Sequence, residues 1–406
     1  MDSEIKITGK QLLNKVPQVT LFFWVIKVLC TTVGETFADF LNVNLAFGLT
    51  GTSITMGILL AIALFFQFKT KKYIPFIYWI TVVFISVFGT LVTDNLTDKM
   101  GVRLETSTII FSVLLLSTFC IWYIKEKTLS IHSIFTKRRE VFYWLTILFT
   151  FALGTAAGDL MAEGLGMGYL NTGLIVSVII VIFIIAQKLK LNSVLCFWVI
   201  YIMTRPLGAS IGDYLSQPTK FGGLGFGATL TSVIFLLGIL AIILYFTFTK
   251  RDIIVNTVIK EKQNNEDKGL VIQSLITILV FIIVGLSAYF LRQSQLQKET
   301  VQPPVSNGSP NNLVPVTPLG DLSEFIKISK DTKDLVVSNN IEGAKSRITD
   351  LEHEWDIAQA KLNAMDSKKW TEVDDAIDKV LRQLRAVNPV QKDCQSSLDA
   401  LLKVLE

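Results

Sequence analysis

YWLTILFTFALGTAAGDLMAEGLGMG (residues 143–168) starts as an apolar run long enough to enter a bilayer and finishes in two acids set among glycines. An ionised aspartate near the centre of a spanning helix costs about 2.5–3.5 kcal/mol, and less toward either interface. Asp159 and Glu163 therefore need water, a cation or a proton beside them. The same arrangement returns along the chain. Trp24, Trp79, Trp144 and Trp198 are each followed ten residues later by a glycine: Gly34, Gly89, Gly154 and Gly208. Four residues further on stands a small residue, Ala38, Thr93, Gly158 or Gly212, and directly after it Asp39, Asp94, Asp159 or Asp213. The pattern W-x9-G-x3-small-D thus occurs four times without a gap, the signature of a repeat architecture.

Of 406 residues, 51% are hydrophobic and 18% charged, which excludes an ordinary soluble globular domain. Apolar blocks lie near 19–42, 50–68, 73–94, 107–124, 141–163, 171–187, 194–215, 226–248 and 269–292. Each is near the 17–25 residues, roughly, that cross a bilayer. The start, MDSEIKITGKQLLNKV, lacks the short apolar core and cleavage site of a signal peptide, so insertion is expected to begin with the first span. Lys and Arg gather in KTKK (69–72), KEKTLSIHSIFTKRRE (125–140), QKLKLN (187–192) and TKRDIIVNTVIKEK (249–262), while the alternate connections carry almost none. The positive-inside rule puts these loops and the N-terminus in the cytoplasm and everything after residue 292 outside. Each basic run abuts a span and none interleaves with stacking aromatics, so the lipid bilayer is an expected partner and nucleic acid is not.

The expected fold is all-α: a polytopic membrane protein of four parallel two-helix repeats, a ninth transmembrane helix and an extracytoplasmic helical bundle. Its parts are a cytoplasmic N-terminus (1–18), the repeat domain (19–248), a cytoplasmic connection (249–268), the ninth span (269–292), a Pro/Asn-rich linker (293–320) and the bundle (321–406). Tryptophan spacings of 55, 65 and 54 residues set the repeat length, and the longer interval suggests two halves of two hairpins. An even number of spans per unit points all four motifs the same way, unlike an inverted repeat. Gly34 with Ala38, Gly89 with Thr93, Gly154 with Gly158 and Gly208 with Gly212 are expected to pack helices, because small residues four apart let backbones approach in lipid. The four tryptophans read as membrane-interface anchors.

Asp39, Asp94, Asp159 and Asp213 are the candidate cation-binding residues and the candidate metal ligands. Three repeats hold a second acid four residues away on the same helix face: Glu35 beside Asp39, Asp98 beside Asp94, and Glu163 beside Asp159. Like charges so placed repel, which favours a bound cation or a shared proton. Carboxylates suit a divalent cation such as Mg²⁺, Mn²⁺ or Ca²⁺, and also Na⁺ or H⁺. Lys27 and Arg205 lie inside the same helices as candidate counter-ions or gating residues, and Pro206 is expected to kink the fourth helix.

The four cysteines include one in the external segment, so that segment forms no internal disulfide. In the bundle, Ala344, Ile348, Leu351, Trp355 and Ala358 share one stripe, as do Trp370, Val373, Ile377, Leu381 and Leu384. Its acids, including Asp350, Glu354, Asp374 and Asp378, read either as a weak cation site or, as is commoner, as the solvated face of a bundle.

TTVGETFADFL (31–41) resembles the T-x-x-G-(D/E)-x-x-x-D core of a tandem-repeat family of bacterial integral membrane proteins of unknown function, matched by Thr31, Gly34, Glu35 and Asp39. The other copies keep the Gly and the Asp but carry Thr90, Thr155 or Ala209 after the glycine. The resemblance covers about residues 19–248; it implies architecture and brings no substrate. A multi-pass protein of the bacterial inner membrane follows. The expected function is a secondary transporter, proton-coupled, or a channel for a cation or cationic solute. The alternative is a membrane-anchored sensor presenting the bundle. No P-loop appears, and the G-x-G-D form of an intramembrane aspartyl protease is absent, so no catalytic residue is expected.

Overall fold

In the computed structural model, residues 14–45, 47–252, 269–301, 317–386 and 388–406 are described. Most of the expected N-terminus, residues 253–268 of the connection and residues 302–316 of the linker lie outside them. All regular structure among the described residues is helical, apart from an isolated Thr317–Gly320 bridge.

The repeats supply α1 (Leu21–Asp39), α2 (Gly48–Lys69), α3 (Pro75–Asp94), α4 (Leu104–Glu126), α5 (Lys137–Asp159), α6 (Tyr169–Lys188), α7 (Ser193–Ser216) and α8 (Gly227–Thr249). With α9 (Leu270–Val301), the described residues hold nine helices long and apolar enough to cross a membrane. The odd helices of the repeats open on firm start signals. Thr20 accepts from the Phe23 N–H, Thr136 from Arg139, and Asn192 from Val194 and Leu195, while Pro75 occupies the first turn of α3.

These odd helices form a closed ring, α1 against α3, α3 against α5, α5 against α7, and α7 back against α1. Each even helix packs outside the odd helix of the following repeat: α2 on α3, α4 on α5, α6 on α7 and α8 on α1. Two expectations change here. The packing unit is not the hairpin, since the second helix leans on the next repeat. The ring also shows no division into two halves, because all four odd-helix seams exist alike. The ring helices have 56–72% of their spanning windows buried against 11–28% for the outer four, so the outer helices present the apolar surface that lipid would meet.

The motif glycines explain the closure. A Cβ on Gly34 would strike Ser86, on Gly89 Phe151, on Gly154 Arg205, and on Gly208 Thr31. Ser86, Phe151, Arg205 and Thr31 are equivalent positions, each three residues before the glycine of its own repeat. One contact thus repeats around the ring and returns from the fourth repeat to the first. The second small residues extend it: Ala38 is buried, Thr93 donates to the Ala152 carbonyl at 3.0 Å, Gly158 lies on Pro206 and Gly212 on Thr36.

At the ring's other end, Trp79, Trp144 and Trp198 pack inside with Tyr78 and Tyr143, whose hydroxyls are 2.5 Å apart. Three of the four tryptophans are therefore core residues, not interface anchors, because they stack on one another's neighbours in the ring. Residues 14–18 tie three connections at that end, through Lys15 N–H to Ile134, Tyr73 N–H to Asn14 and Gln18 N–H to Asp252. Lys15 also forms a buried ion pair with Glu140.

Beyond the repeats, α9 continues to Val301, past the expected boundary at 292, and packs on α7. The bundle is α10 (Ser323–Val337), α11 (Ile341–Met365), α12 (Ser367–Arg385) and α13 (Gln391–Leu405). Both apolar stripes expected from the sequence lie in its core, around Trp355 and Trp370.

Gly208→Leu should disrupt the α7–α1 seam and lower the melting temperature in detergent, since overpacking a tight contact costs about 1–3 kcal/mol. Gly285→Leu on α9, where a Cβ meets open space, is the control and should leave it unchanged. Equal melting temperatures would refute the closed ring.

Candidate cation cavity

Each motif aspartate stands at the last turn of a ring helix. After Asp39, Asp94 and Asp159 the helix widens into a π-helical turn, Phe40–Asn44, Asn95–Lys99 and Leu160–Gly164. Leu45 N–H donates to Phe40, Met100 to Asn95 and Leu165 to Leu160, each bond reaching five residues back. Such turns are rare and concentrate at functional sites. In the fourth repeat Pro218, five residues after Asp213, has no N–H to continue the helix, and none forms.

The four aspartates line one cavity of about 510 Å³ at this end of the ring. Glu35, Asp98 and Glu163 line it as well, so every acid expected from the repeats reaches the same space. These acids are half-buried, not free in solvent. Glu35, Asp39 and Asp213 each place a carboxylate oxygen within 4.8 Å of the others, a spacing on the scale of shared cation coordination.

The two cationic candidates lie deeper and fill the ring axis. Arg205 is buried and reaches across from α7 to α3, donating to Thr90 and to Glu35, and to the Thr31 carbonyl at 3.2 Å. Its partner is thus the acid peculiar to the first repeat and not a motif aspartate. Lys27, one helical turn further in, reaches across the other diagonal from α1 to α5. Its ammonium lies 3.8 Å from the Phe151 ring centroid and 4.3 Å from that of Tyr201, a cation–π arrangement. Among the described residues no carboxylate forms an ion pair with Lys27.

The cavity's other wall is the bundle. α11 packs on the π turn at 160–164 and α12 on those at 40–44 and 95–99. Glu352, Asp356, Asp374 and Asp378 line the cavity from this side, with Trp355 and Trp370 between them. Seven ring carboxylates therefore face four from the bundle. Among the described lysines and arginines only Arg385 lines the space, and it is held by Glu352, with one contact at 3.0 Å. Asp374 and Asp378 consequently do not sit on a solvated face. Asp350 does lie outside the cavity, paired with Arg347 at 3.0 Å and with Lys220, and Glu354 is exposed. The sequence reading missed Glu352, Asp356 and Arg385. The signal for Glu352 and Asp356 was present as acids four apart on α11, beside the apolar stripe, but periodicity does not say what a second stripe faces.

Burial pushes the Asp356 carboxyl well above the usual carboxylate range, and Glu163 across the cavity adds to the rise. Asp374 is raised in the same way, by burial and then by Asp98. A carboxyl raised in the folded state binds more protons there than in the unfolded chain. The folded arrangement therefore gains stability as pH falls toward the ordinary carboxylate value and loses it as pH rises through the raised one. In chelator-treated buffer the melting temperature should rise between about pH 8 and about pH 5.5, and Asp356→Asn with Asp374→Asn should flatten that slope. A wild-type melting temperature that falls with acidification would contradict the facing-carboxylate geometry.

A family model described as "Repeat of Unknown Function (DUF347)" matches residues 22–73, 77–128, 142–190 and 196–252. Each match begins near the start of one ring helix and runs through the outer helix that follows it in sequence. No curated protein matches this chain, and no solved structure does. The four matches span half of the chain, and the protein belongs to the DUF347 repeat family.

Proposed function

We propose that this protein is a membrane transporter for a cation or cationic solute, with the carboxylate cavity as its substrate site. The carrying observation is that all four motif aspartates converge on one space of about 510 Å³ whose lining lysines and arginines, among the described residues, amount to Arg385 alone. Carboxylates crowded into a half-buried cavity repel one another unless cations or protons join them. Hard oxygen donors favour Mg²⁺, Mn²⁺, Ca²⁺ or Na⁺, and the volume has room for a hydrated ion or a small organic cation.

In this reading Asp39, Asp94, Asp159 and Asp213 hold the substrate. Arg205 and Lys27 form the barrier beneath it, since both side chains cross the ring axis. Release toward the far side requires that Arg205 exchange its hold on Glu35, and proton uptake by the acids is the coupling step. The repeats run in parallel, and the basic loops orient the cavity to the extracytoplasmic face of a bacterial inner membrane. The bundle then lies on the extracytoplasmic side.

Purified protein in proteoliposomes should take up at least one of Mg²⁺, Mn²⁺, Ca²⁺, Na⁺ or a small organic amine, and Asp159→Asn with Asp213→Asn should slow that uptake by about tenfold or more. Uptake unchanged by these substitutions would sink the site assignment. The bundle's position on the cavity favours one second reading, a membrane-anchored sensor. Removing residues 318–406 separates the two, because a sensor loses all function whereas a transporter retains flux.

A further inference from the structure

We propose that the bundle is a lid, and that it closes over the cavity only when cations inside neutralise the two acidic walls. The inference rests on the reading of the cavity as a cation site and adds its regulation. The argument is one of opposing faces. The ring presents Asp94, Asp98 and Glu163 toward the bundle, and the bundle presents Asp356 and Asp374 toward the ring, beside Asp378, which Arg382 pairs at 2.9 Å. Burial between the walls raises the Asp356 and Asp374 carboxyls, with Glu163 and Asp98 as the nearest opposing contributors. Arg385, ion-paired with Glu352 on the bundle's own side, offsets only part of this imbalance.

Among the described residues, polar and ring contacts fasten the bundle at the rim. Lys220 pairs with Asp350 and donates to the Ser346 carbonyl at 3.1 Å. Phe221 stacks on His353 with centroids 3.7 Å apart, and the Ser367 hydroxyl donates to the Gly101 carbonyl at 2.5 Å. The Lys220–Asp350 pair is partly exposed, and such pairs contribute little in water. Around the cavity the bundle meets the ring through the π turns that follow the motif aspartates. A cation held by those aspartates therefore screens both walls at once and favours closure by linkage: whatever binds the closed form better shifts the population toward it.

Spin labels at Thr219→Cys on the ring rim and Glu354→Cys on the bundle, both exposed positions, report the separation in the full chain in nanodiscs, with exposed Cys120 replaced by serine. In salt-free zwitterionic buffer with chelator the distances should be long and broadly distributed. Added Mg²⁺ should raise the short-distance population severalfold. Asp356→Asn with Asp374→Asn should give the short distance without Mg²⁺. Calorimetric titration with Mg²⁺ on the same samples separates the two ideas. Mg²⁺ that binds without shortening the distance overturns the lid and leaves the cation site standing. Failure of each of Mg²⁺, Mn²⁺, Ca²⁺, Na⁺ and a small organic amine to bind overturns both, and a short wild-type distance in the salt-free buffer overturns the lid alone.

Discussion

Close backbone approach at the four motif glycines is the constraint on which the rest of the molecule depends. Each glycine admits the side chain three residues before the glycine of the next repeat, and the fourth admits Thr31 of the first. In a lipid setting, where burial of apolar surface drives helices together weakly, such packing is what holds a ring. Any Cβ at these positions would open a seam. Because the contact is the same in every repeat, four helices arrive at one end in register, and their aspartates arrive with them.

That register creates the electrostatic problem the structure then has to manage. Four equivalent carboxylates, joined by Glu35, Asp98 and Glu163, converge where water is limited. The π turns after three of the aspartates widen the helix ends and make room for the cavity between ring and bundle. The bundle adds four more acids against one lining cation, Arg385. A protein that needed only a stable cap would gain nothing by this, whereas one that handles cations gains a space that is incomplete without them.

The ring is fourfold in its packing but not in its chemistry. At the level of Arg205 the other repeats carry Thr31, Ser86 and Phe151; at the level of Lys27 they carry Val82, Ile147 and Tyr201. Single cations thus cross each diagonal, one satisfied by Glu35 and the other by aromatic faces. Symmetric residues build the walls and the unique residues close the axis, a division of labour that fits a pathway with one barrier.

Much of this was legible in the chain alone. Local patterns determined the nine apolar spans, the four copies of W-x9-G-x3-small-D, the small-residue seams and the two apolar stripes of the bundle, because helix periodicity and residue size act within a few residues of themselves. Only the tertiary structure decided that the even helices lean on the following repeat, that three of the tryptophans enter the core, and that Arg205 chooses Glu35. It alone brought Glu352, Asp356 and Arg385 to the cavity. The reason is physical: a stripe on a helix states what it can pair with, but the partner is set by loops and distant seams that no local period encodes.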